Sequence, residues 1–420
     1  MYNKLNIYVS LAAIVILVIF VLVLPADEGA EVFENRVMQA FPELTQESFL
    51  SGDFFNQLES FLLDNTAHRT TWLAFAQAAE YGYGINLSGG AMMVVFDGDD
   101  LGYGLVPLDD ELVLGHTPGE DAADFSPVQV ITHGRVNPMA NFSEDVHFNE
   151  NAVFYLRYNE NQVLAARYAE VLNAYFGDLP DNVRMFSMLA PVKVEFMGPR
   201  YAAVNSSQLG TIEFVNNLLH PGIIPVDTHT ILSDNADRYT FFRLDHHWTA
   251  LGAYFAYLAF AEAAGFEPIT IENYTEHVIH GFIGSLAVGT RNRTVLAHPD
   301  TIYFYTLDDG TTFSIDMFTI PADMAHLSYR VFLGGDRDYF SFTSSNTNGR
   351  TLMVIKDSFA NALIPWIAPH YENIVVIDPR QFTGSVRQVM ELYNDIDLLF
   401  VNYMPATTMS ELIEQIYNAR

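Results

Sequence analysis

The sequence predicts an α/β fold in three layers, a mainly parallel sheet with helices on both faces. Three observations predict it. LMVIKDS (352–358), NIVVIDP (373–379) and IDLLFVNY (396–403) are near-continuous apolar runs of strand length, as strands buried on both faces require. The stretches FANALIPWI, SVRQVMELY and SELIEQIYN separate or follow them with helical spacing. Half of the 420 residues are apolar and 14% are aromatic, enough to bury a large core.

The earlier elements fit the same class. ENRVMQAF, DFFNQLESFLLDN and TTWLAFAQAAEYG, within residues 32–80, space their apolar residues at three and four and predict helices. YGYGINLSGGAMMVVFDGDD turns glycine-rich and β-like, as a turn and an edge hairpin would. NENQVLAARYAEVLNAYFGDLP (159–180) is an amphipathic helix with a Gly-Asp stop, followed by the buried strand RMFSMLAPV (184–192). GIIPVDT (222–228) reads as a strand and TALGAYFAYLAFAEAAG (249–265) as a helix ended by glycine. TIYFYTLDDGTTFSIDMFTI and YRVFLGG, within about 302–345, break the alternation and are expected to form an antiparallel insertion or sheet extension.

Charge narrows the partners. The formal net charge is -31, and Lys4, Lys193 and Lys356 are the only lysines, so a nucleic-acid partner is disfavoured, as is docking on anionic lipid or teichoic-acid phosphate. There are no cysteines, which leaves the compartment open. The N-terminus speaks to it. IYVSLAAIVILVIFVLVL (7–24) is uncharged and about long enough to cross a bilayer, with Lys4 before it and the acidic ADEGAEVFE after it. Residues 1–26 are therefore expected to be an uncleaved signal anchor, in preference to a cleaved signal peptide with its shorter apolar core. Residues 27–420 are then an extracellular domain held at the cell membrane by a single span.

Chemistry in an open α/β sheet gathers at the carboxyl ends of the strands. Ser358, in VIKDSFANAL, sits at such a junction, beside the N-terminus of the next helix, where free backbone N–H groups can stabilise an oxyanion. Taken alone, it reads more simply as a common Asp-Ser helix cap. The stretch FRLDHHWTALGA (242–253) supplies what a serine nucleophile would need. Asp245 and His247 lie two apart in a non-helical segment, so one tight turn can bring acid and base together. His246 points elsewhere and has a supporting role, Trp248 can wall the imidazole from water, and Thr249 caps the following helix. A metal held by Asp245, His246 and His247, with Asp227 and His229 upstream, is disfavoured because adjacent histidines on a strand splay apart and no metal-site spacing accompanies them. No cofactor is implied. Asn361, Arg380, Trp248 and Phe359 are candidates for oxyanion or substrate contacts, Arg380 with a structural salt bridge as its alternative. GFIGSL (281–286) is a loop whose glycines let backbone approach a substrate, or a plain turn.

LDHHWTALGAY followed about a hundred residues later by VIKDSFANALIPW resembles the DHHW family of Gram-positive bacteria, itself similar to the alginate O-acetyltransferase proteins of the SGNH-hydrolase-like superfamily. FENRVMQAFPELTQESFLSGDFFNQLESFLLDNTAHR, IPVDTHTILSDNADRYTFFRLDHHWT and VVIDPRQF…LYNDIDLLFVNY are similar to further segments of that family. The resemblance implies an SGNH-like domain with Asp245 as orienting acid, His247 as base and Ser358 as nucleophile. Lys356-Asp357-Ser358 departs from the Gly-Asp-Ser of many SGNH enzymes, and GGAMMVVFDGDD from a Gly-Trp-Leu-like segment. The implied activity is O-acyl transfer, of acetyl above all, to a cell-surface or secreted polysaccharide. The implied acyl donor is a multipass partner of the membrane-bound O-acyltransferase type, since no acetyl-CoA exists outside the membrane. A carbohydrate esterase using the same residues, a non-catalytic polysaccharide-binding or assembly protein, and D-alanyl transfer to teichoic acid are the alternatives.

Overall fold

The computed structural model describes residues 153–287 and 298–420, except 181 and 204, together with 93–96, 128–135 and scattered positions between 42 and 61. The expected anchor over 7–24 lies outside the described residues. So does most of the expected helical segment 32–80, of which Phe54, Gln57 and Phe61 have helical backbone. Among the described residues no helix is long and apolar enough to cross a membrane. Two compact units divide the chain, Met1–Leu87 and Ser88–Arg420. The second carries the candidate site residues and, among the described residues, every strand.

Its elements in chain order are β1 (Met93–Phe96), β2 (Ile131–Arg135), β3 (Val153–Leu156), α1 (Gln162–Gly177), β4 (Val183–Ala190), α2 (Gln208–Leu218), β5 (Ile223–Pro225), α3 (Thr228–Ser233), α4 (Ala250–Ala264), β6 (Tyr274–Phe282), β7 (Asp300–Leu307), β8 (Tyr339–Thr343), β9 (Thr351–Lys356), α5 (Ala360–Ile367), β10 (Asn373–Ile377), α6 (Val386–Met390), β11 (Ile396–Tyr403) and α7 (Ser410–Asn418). Six strands form the main sheet in the order β5-β4-β11-β9-β10-β8. All neighbours run parallel except the edge strand β8, which is antiparallel to β10. β9 is buried along its whole length and β11 along all but its last residue, which is why their sequences read as continuous apolar runs.

Side-chain alternation shows that both faces are covered. On β11, Phe400 meets Tyr175 of α1 edge-on at 5.0 Å, and Asn402, two residues on and so on the same face, accepts from the Tyr168 hydroxyl at 2.9 Å. Leu399 points the other way and is in register with Phe186 of β4, whose ring meets Phe260 of α4 at 5.2 Å. Helices α1 and α4 therefore lie on opposite faces.

The two helices that matter most for chemistry pack together. α4 opens on Thr249, whose hydroxyl accepts from the Gly252 N–H at 3.2 Å, and closes on Gly265, left-handed at φ 77°, whose N–H returns to Ala261. α5 follows β9. The Trp366 indole of α5 donates to the Ala250 carbonyl at the start of α4 (3.1 Å), and the Trp248 indole donates to the Phe359 carbonyl just before α5 (2.9 Å). The N-termini of both helices are thus tied side by side, and the residues preceding each are brought to one place.

One expectation is revised. The stretch 302–345 is not one insertion: β7 joins β2 and β6 in a separate three-stranded antiparallel sheet, while β8 extends the main sheet. β1 pairs antiparallel with the distant β3, Met93 opposite Leu156, and the remainder of the expected turn and edge hairpin lies outside the described residues.

At the amino ends of the strands, the buried Asp397 carboxylate accepts from Arg184 (2.7 and 2.8 Å), Arg350 (2.7 Å) and the Tyr371 hydroxyl (2.6 Å), tying β4, β9 and β11 together opposite the end where Ser358 lies. His370, after α5, is hydrogen-bonded to the Tyr257 hydroxyl at 2.7 Å and packs on Phe266. Burial, reinforced by the Arg350 charge, pulls its pKa down to about 4. Below about pH 6.5 the unfolded chain binds a proton there that the folded chain refuses. Stability from this site is complete above that pH and falls by up to about 1.4 kcal/mol per pH unit towards pH 4. Chemical denaturation of wild type and His370→Gln at pH 7 and pH 5 tests this: the substitution should flatten the pH dependence, and an unchanged slope would contradict it.

Candidate active site

The site starts from a tight turn. The Phe242 N–H donates to the His247 carbonyl at 3.2 Å and Phe241 bridges to Trp248, so residues 243–246 form the tip of a small antiparallel loop. Asp245 Oδ1 accepts the His247 backbone N–H at 2.9 Å, an Asx turn, and the same oxygen accepts the His247 Nδ1–H at 2.6 Å. That double use explains the spacing of two between acid and histidine. The other oxygen, Oδ2, accepts the Ser285 N–H at 2.8 Å. Burial alone would raise the Asp245 pKa, but the neighbouring His247 and His246 and the hydrogen bonds outweigh it and hold the carboxyl well below the usual range.

With Nδ1–H committed to the carboxylate, Nε2 is left as the acceptor, and the Ser358 hydroxyl lies 2.6 Å from it. Asp245 and His247 are each 1% exposed and Ser358 8%, so the series is dry apart from the serine edge. The imidazole is clamped on both faces. The Tyr329 ring stacks on it at 3.8 Å with a 4° tilt, and the His246 ring lies 3.8 Å away on a 36° tilt. His246 Nδ1 meets the Ser285 hydroxyl at 3.1 Å; burial first, and the His247 charge second, pull its pKa down to about 3, so it stays neutral beside the reacting groups.

Ser358 sits between β9 and α5. The Asp357 carboxylate accepts the Phe359 N–H (3.0 Å) and the Tyr403 N–H (2.8 Å), while the Ala360 and Asn361 N–H groups return to the carbonyls of Asp357 and Ser358. Among the described residues the Ser358 N–H has no such partner, and it is the backbone donor at this turn left for an oxyanion.

The other candidates are placed differently from the expectation. Asn361 is fully buried and spends its side-chain N–H on Asp336 at 2.8 Å. Arg380 is held by Asp378 (Nε, 2.8 Å) and Asp336 (Nη2, 2.7 Å), the structural ion pair expected as its alternative role, with its side chain 33% exposed. Asp336 also receives the buried Lys356 ammonium at 2.5 Å; burial would raise its pKa, but Lys356 and Arg380 hold the carboxyl well below its usual range. This network forms the floor under Ser358. Phe359 contributes a ring, 5.0 Å from His247 and 5.5 Å from Tyr403, rather than a free N–H. Trp248 fastens the backbone after Ser358, and Tyr329, not Trp248, covers the imidazole face. GFIGSL does not present a loop to substrate: Gly284 packs against Leu244 and Asp245, and Ser285 donates to the carboxylate. Sequence reasoning gave no role to Tyr329, Ser285, Asp336 or Lys193, although Tyr329 and Ser285 lie in stretches it had singled out, YRVFLGG and GFIGSL.

Asp245, His246 and His247 offer ligand atoms within 4.8 Å of one another. Both ring nitrogens of His247 already serve Asp245 and Ser358, so a metal there would dismantle the series. Asp227 caps α3 through the Thr230 N–H, and His229 pairs with Glu195 at 3.2 Å, so neither joins them.

A family model described as DHHW protein matches residues 143–377. Curated protein sequences give no match. The chain is similar to the crystal structure of a DHHW family protein from Eubacterium siraeum, with 28% identity and a TM-score of 0.59 over 65% of this chain and 94% of that one. It is similar in fold to Bacillus cereus PatB1 carrying a sulfonyl adduct, with 18% identity and a TM-score of 0.50 over 62% of this chain and 95% of that one. The O-acetyltransferase domain of Pseudomonas putida AlgJ is a more distant match, with 12% identity and a TM-score of 0.37 over 64% and 96% of the respective chains.

A Cβ on Gly284 would meet the Leu244 carbonyl and the Asp245 Cβ, both on the turn itself. Gly284→Ala should therefore cost about 1–3 kcal/mol of stability by overpacking. Equilibrium denaturation checks it, and a wild-type midpoint would show that the loop does not press on Asp245.

Proposed function

The chain belongs to the DHHW family, and from that premise we propose that it is an extracytoplasmic serine O-acyltransferase of SGNH-like fold. Its acceptor is a hydroxyl of a cell-surface or secreted polysaccharide and its acyl group is acetyl. The observation that carries this is the buried series Ser358–His247–Asp245, with two hydrogen bonds of 2.6 Å meeting at opposite nitrogens of one imidazole. Residues 7–24 hold the domain at the outer face of the membrane, and a membrane-bound O-acyltransferase partner brings the acyl group there.

The chemistry follows from that geometry. His247 Nε2 takes the proton of Ser358 as its Oγ bonds to the acyl carbonyl carbon of the donor. The carbonyl oxygen becomes an oxyanion facing the Ser358 N–H. The tetrahedral intermediate expels the donor's oxygen, which takes the proton back from the imidazolium, leaving the acyl group on Ser358. The sugar hydroxyl then gives its proton to His247 and attacks the acyl carbon; collapse releases the acylated sugar and returns the proton to Ser358. Asp245 remains ionised throughout. It and the π face of Tyr329 both favour the imidazolium that forms twice in each cycle.

The test uses the full-length chain in detergent, wild type and Ser358→Ala, with a chromogenic acetyl ester and with or without oligosaccharide acceptors. Wild type should gain the mass of one acetyl group and lose it faster to sugar than to water, while Ser358→Ala turns over about 10⁴-fold more slowly or worse. Discharge indifferent to sugar would make the protein an esterase. Equal turnover by both folded proteins, with no adduct, would point to the binding-protein alternative.

A further inference from the structure

The bond between Asp245 and His247 requires the chain to curl tightly through residues 242–245. Beneath that curl lies Lys193, the first residue of a 3₁₀ turn, Lys193–Phe196, just beyond β4 at the carboxyl end of the sheet. Its Nζ donates to the carbonyls of Phe242 (2.5 Å), Arg243 (3.0 Å) and Asp245 (3.2 Å). An ammonium has three donors, and here all three end on one four-residue stretch. The residue is 8% exposed, so neither the charge nor those carbonyls turn to water.

A lysine buried for the fold alone would be expected to face a carboxylate. Lys193 makes no ion pair among the described residues. Asp300, a carboxylate in its neighbourhood, accepts instead from the Leu244 N–H (2.6 Å) and from Arg243 Nε (3.4 Å). Three carbonyl dipoles aimed at one point repel one another unless a cation stands between them. Burial pulls the Lys193 pKa down to about 7, while the Asp300 and Asp245 carboxylates and the three carbonyls favour its charged form, so the ammonium and the curl support each other.

We propose that Lys193 is a positioning residue of the acid half of the site, its ammonium drawing the three carbonyls together and so holding the Asp245 carboxylate against His247. This rests on the Ser-His-Asp reading of the site, and Lys193 itself touches neither substrate nor Ser358. Removing the charge leaves the nucleophile and the substrate surface in place but loosens the acid, so kcat falls while KM holds.

The chain has no cysteine, which permits a direct test on the full-length protein. Lys193→Met, Lys193→Gln and Lys193→Cys are compared with wild type. Lys193→Cys is also aminoethylated with 2-bromoethylamine in denaturant, which rebuilds a lysine-like side chain at that position, and refolded beside a wild-type control taken through the same steps. Two readouts are taken: kcat and KM on a chromogenic acetyl ester, and the far-downfield proton resonance of the His247 Nδ1–H, which reports its bond to Asp245. The expected result is a fall in kcat on the order of a hundredfold with KM within about twofold, as for a misplaced catalytic group. The resonance should be lost from the folded variants, and both should return on aminoethylation. If Met prevents folding, Lys193→Gln is judged on the same readouts, and if Gln does too, refolded aminoethylated Lys193→Cys decides. A wild-type resonance in either folded variant, or a loss that aminoethylation does not repair in the refolded protein, overturns the proposal. Should Ser358→Ala turn over as wild type does, it is the nucleophile assignment that has failed, and the Nδ1–H resonance still decides the role of Lys193.

Discussion

A carboxylate with 1% exposure is costly to keep ionised, and the Asp245 charge is what the rest of the site is arranged to hold. It accepts the backbone N–H of His247, the imidazole Nδ1–H of His247 and the N–H of Ser285, each within 2.9 Å. One of these comes from the turn itself, one from the base, and one from a loop some forty residues along the chain. The charge exists in buried form because those donors converge on it, and the imidazole faces Ser358 because the charge is there. The small antiparallel sheet matters here for more than packing. β6 leads directly into the loop that brings Gly284 and Ser285 to Asp245, and β7 begins with Asp300, which holds the Leu244 N–H.

Each half of the site rests on a buried lysine. Beneath the acid half, Lys193 meets three carbonyls and, among the described residues, no carboxylate. Beneath the nucleophile half, Lys356 and Arg380 meet Asp336 and Asp378, and Asn361 joins them through Asp336. Lys193 and Lys356 are two of the three lysines in a chain of net charge -31. In so acidic a protein, cations retained in the interior are structural commitments, and each lies within one or two residues' reach of a reacting group. Apolar packing supplies the frame; these polar groups supply the aim.

What was legible in the sequence and what was not divides along physical lines. The parallel strands were legible because burial on both faces leaves a continuous apolar run, as in VRMFSMLA and TLMVIK. Asp245, His247 and Ser358 were legible as candidates because an acid and two histidines before a helix make poor core, and a serine at a strand's carboxyl end is well placed for chemistry. Their meeting depends on α4 lying against α5, which no local pattern reveals. Asn361 misled because its sequence position suits an oxyanion contact, whereas burial obliges it to find a polar partner in Asp336; Arg380 reaches the same carboxylate from an exposed position. Tyr329 gave no sign of its role: YRVFLGG reads as β-like, whereas Tyr329 opens a 3₁₀ turn and reaches His247 only through the tertiary fold. The 302–345 stretch reads as a single β-rich block because alternation reports strands and not the sheet each one joins.

The most direct measurement is covalent labelling of the full-length protein by a sulfonyl fluoride or fluorophosphonate, with the modified residue mapped by peptide mass spectrometry and the rate compared between wild type and His247→Ala. Such reagents find a serine whose proton a neighbouring base removes. If Asp245 and His247 activate Ser358, one adduct forms, it lies on Ser358, and replacing His247 slows it by several orders of magnitude. An adduct on another residue, or an equal rate on Ser358 without His247, would show that the hydrogen-bonded series is structural and would remove the basis for acyl transfer.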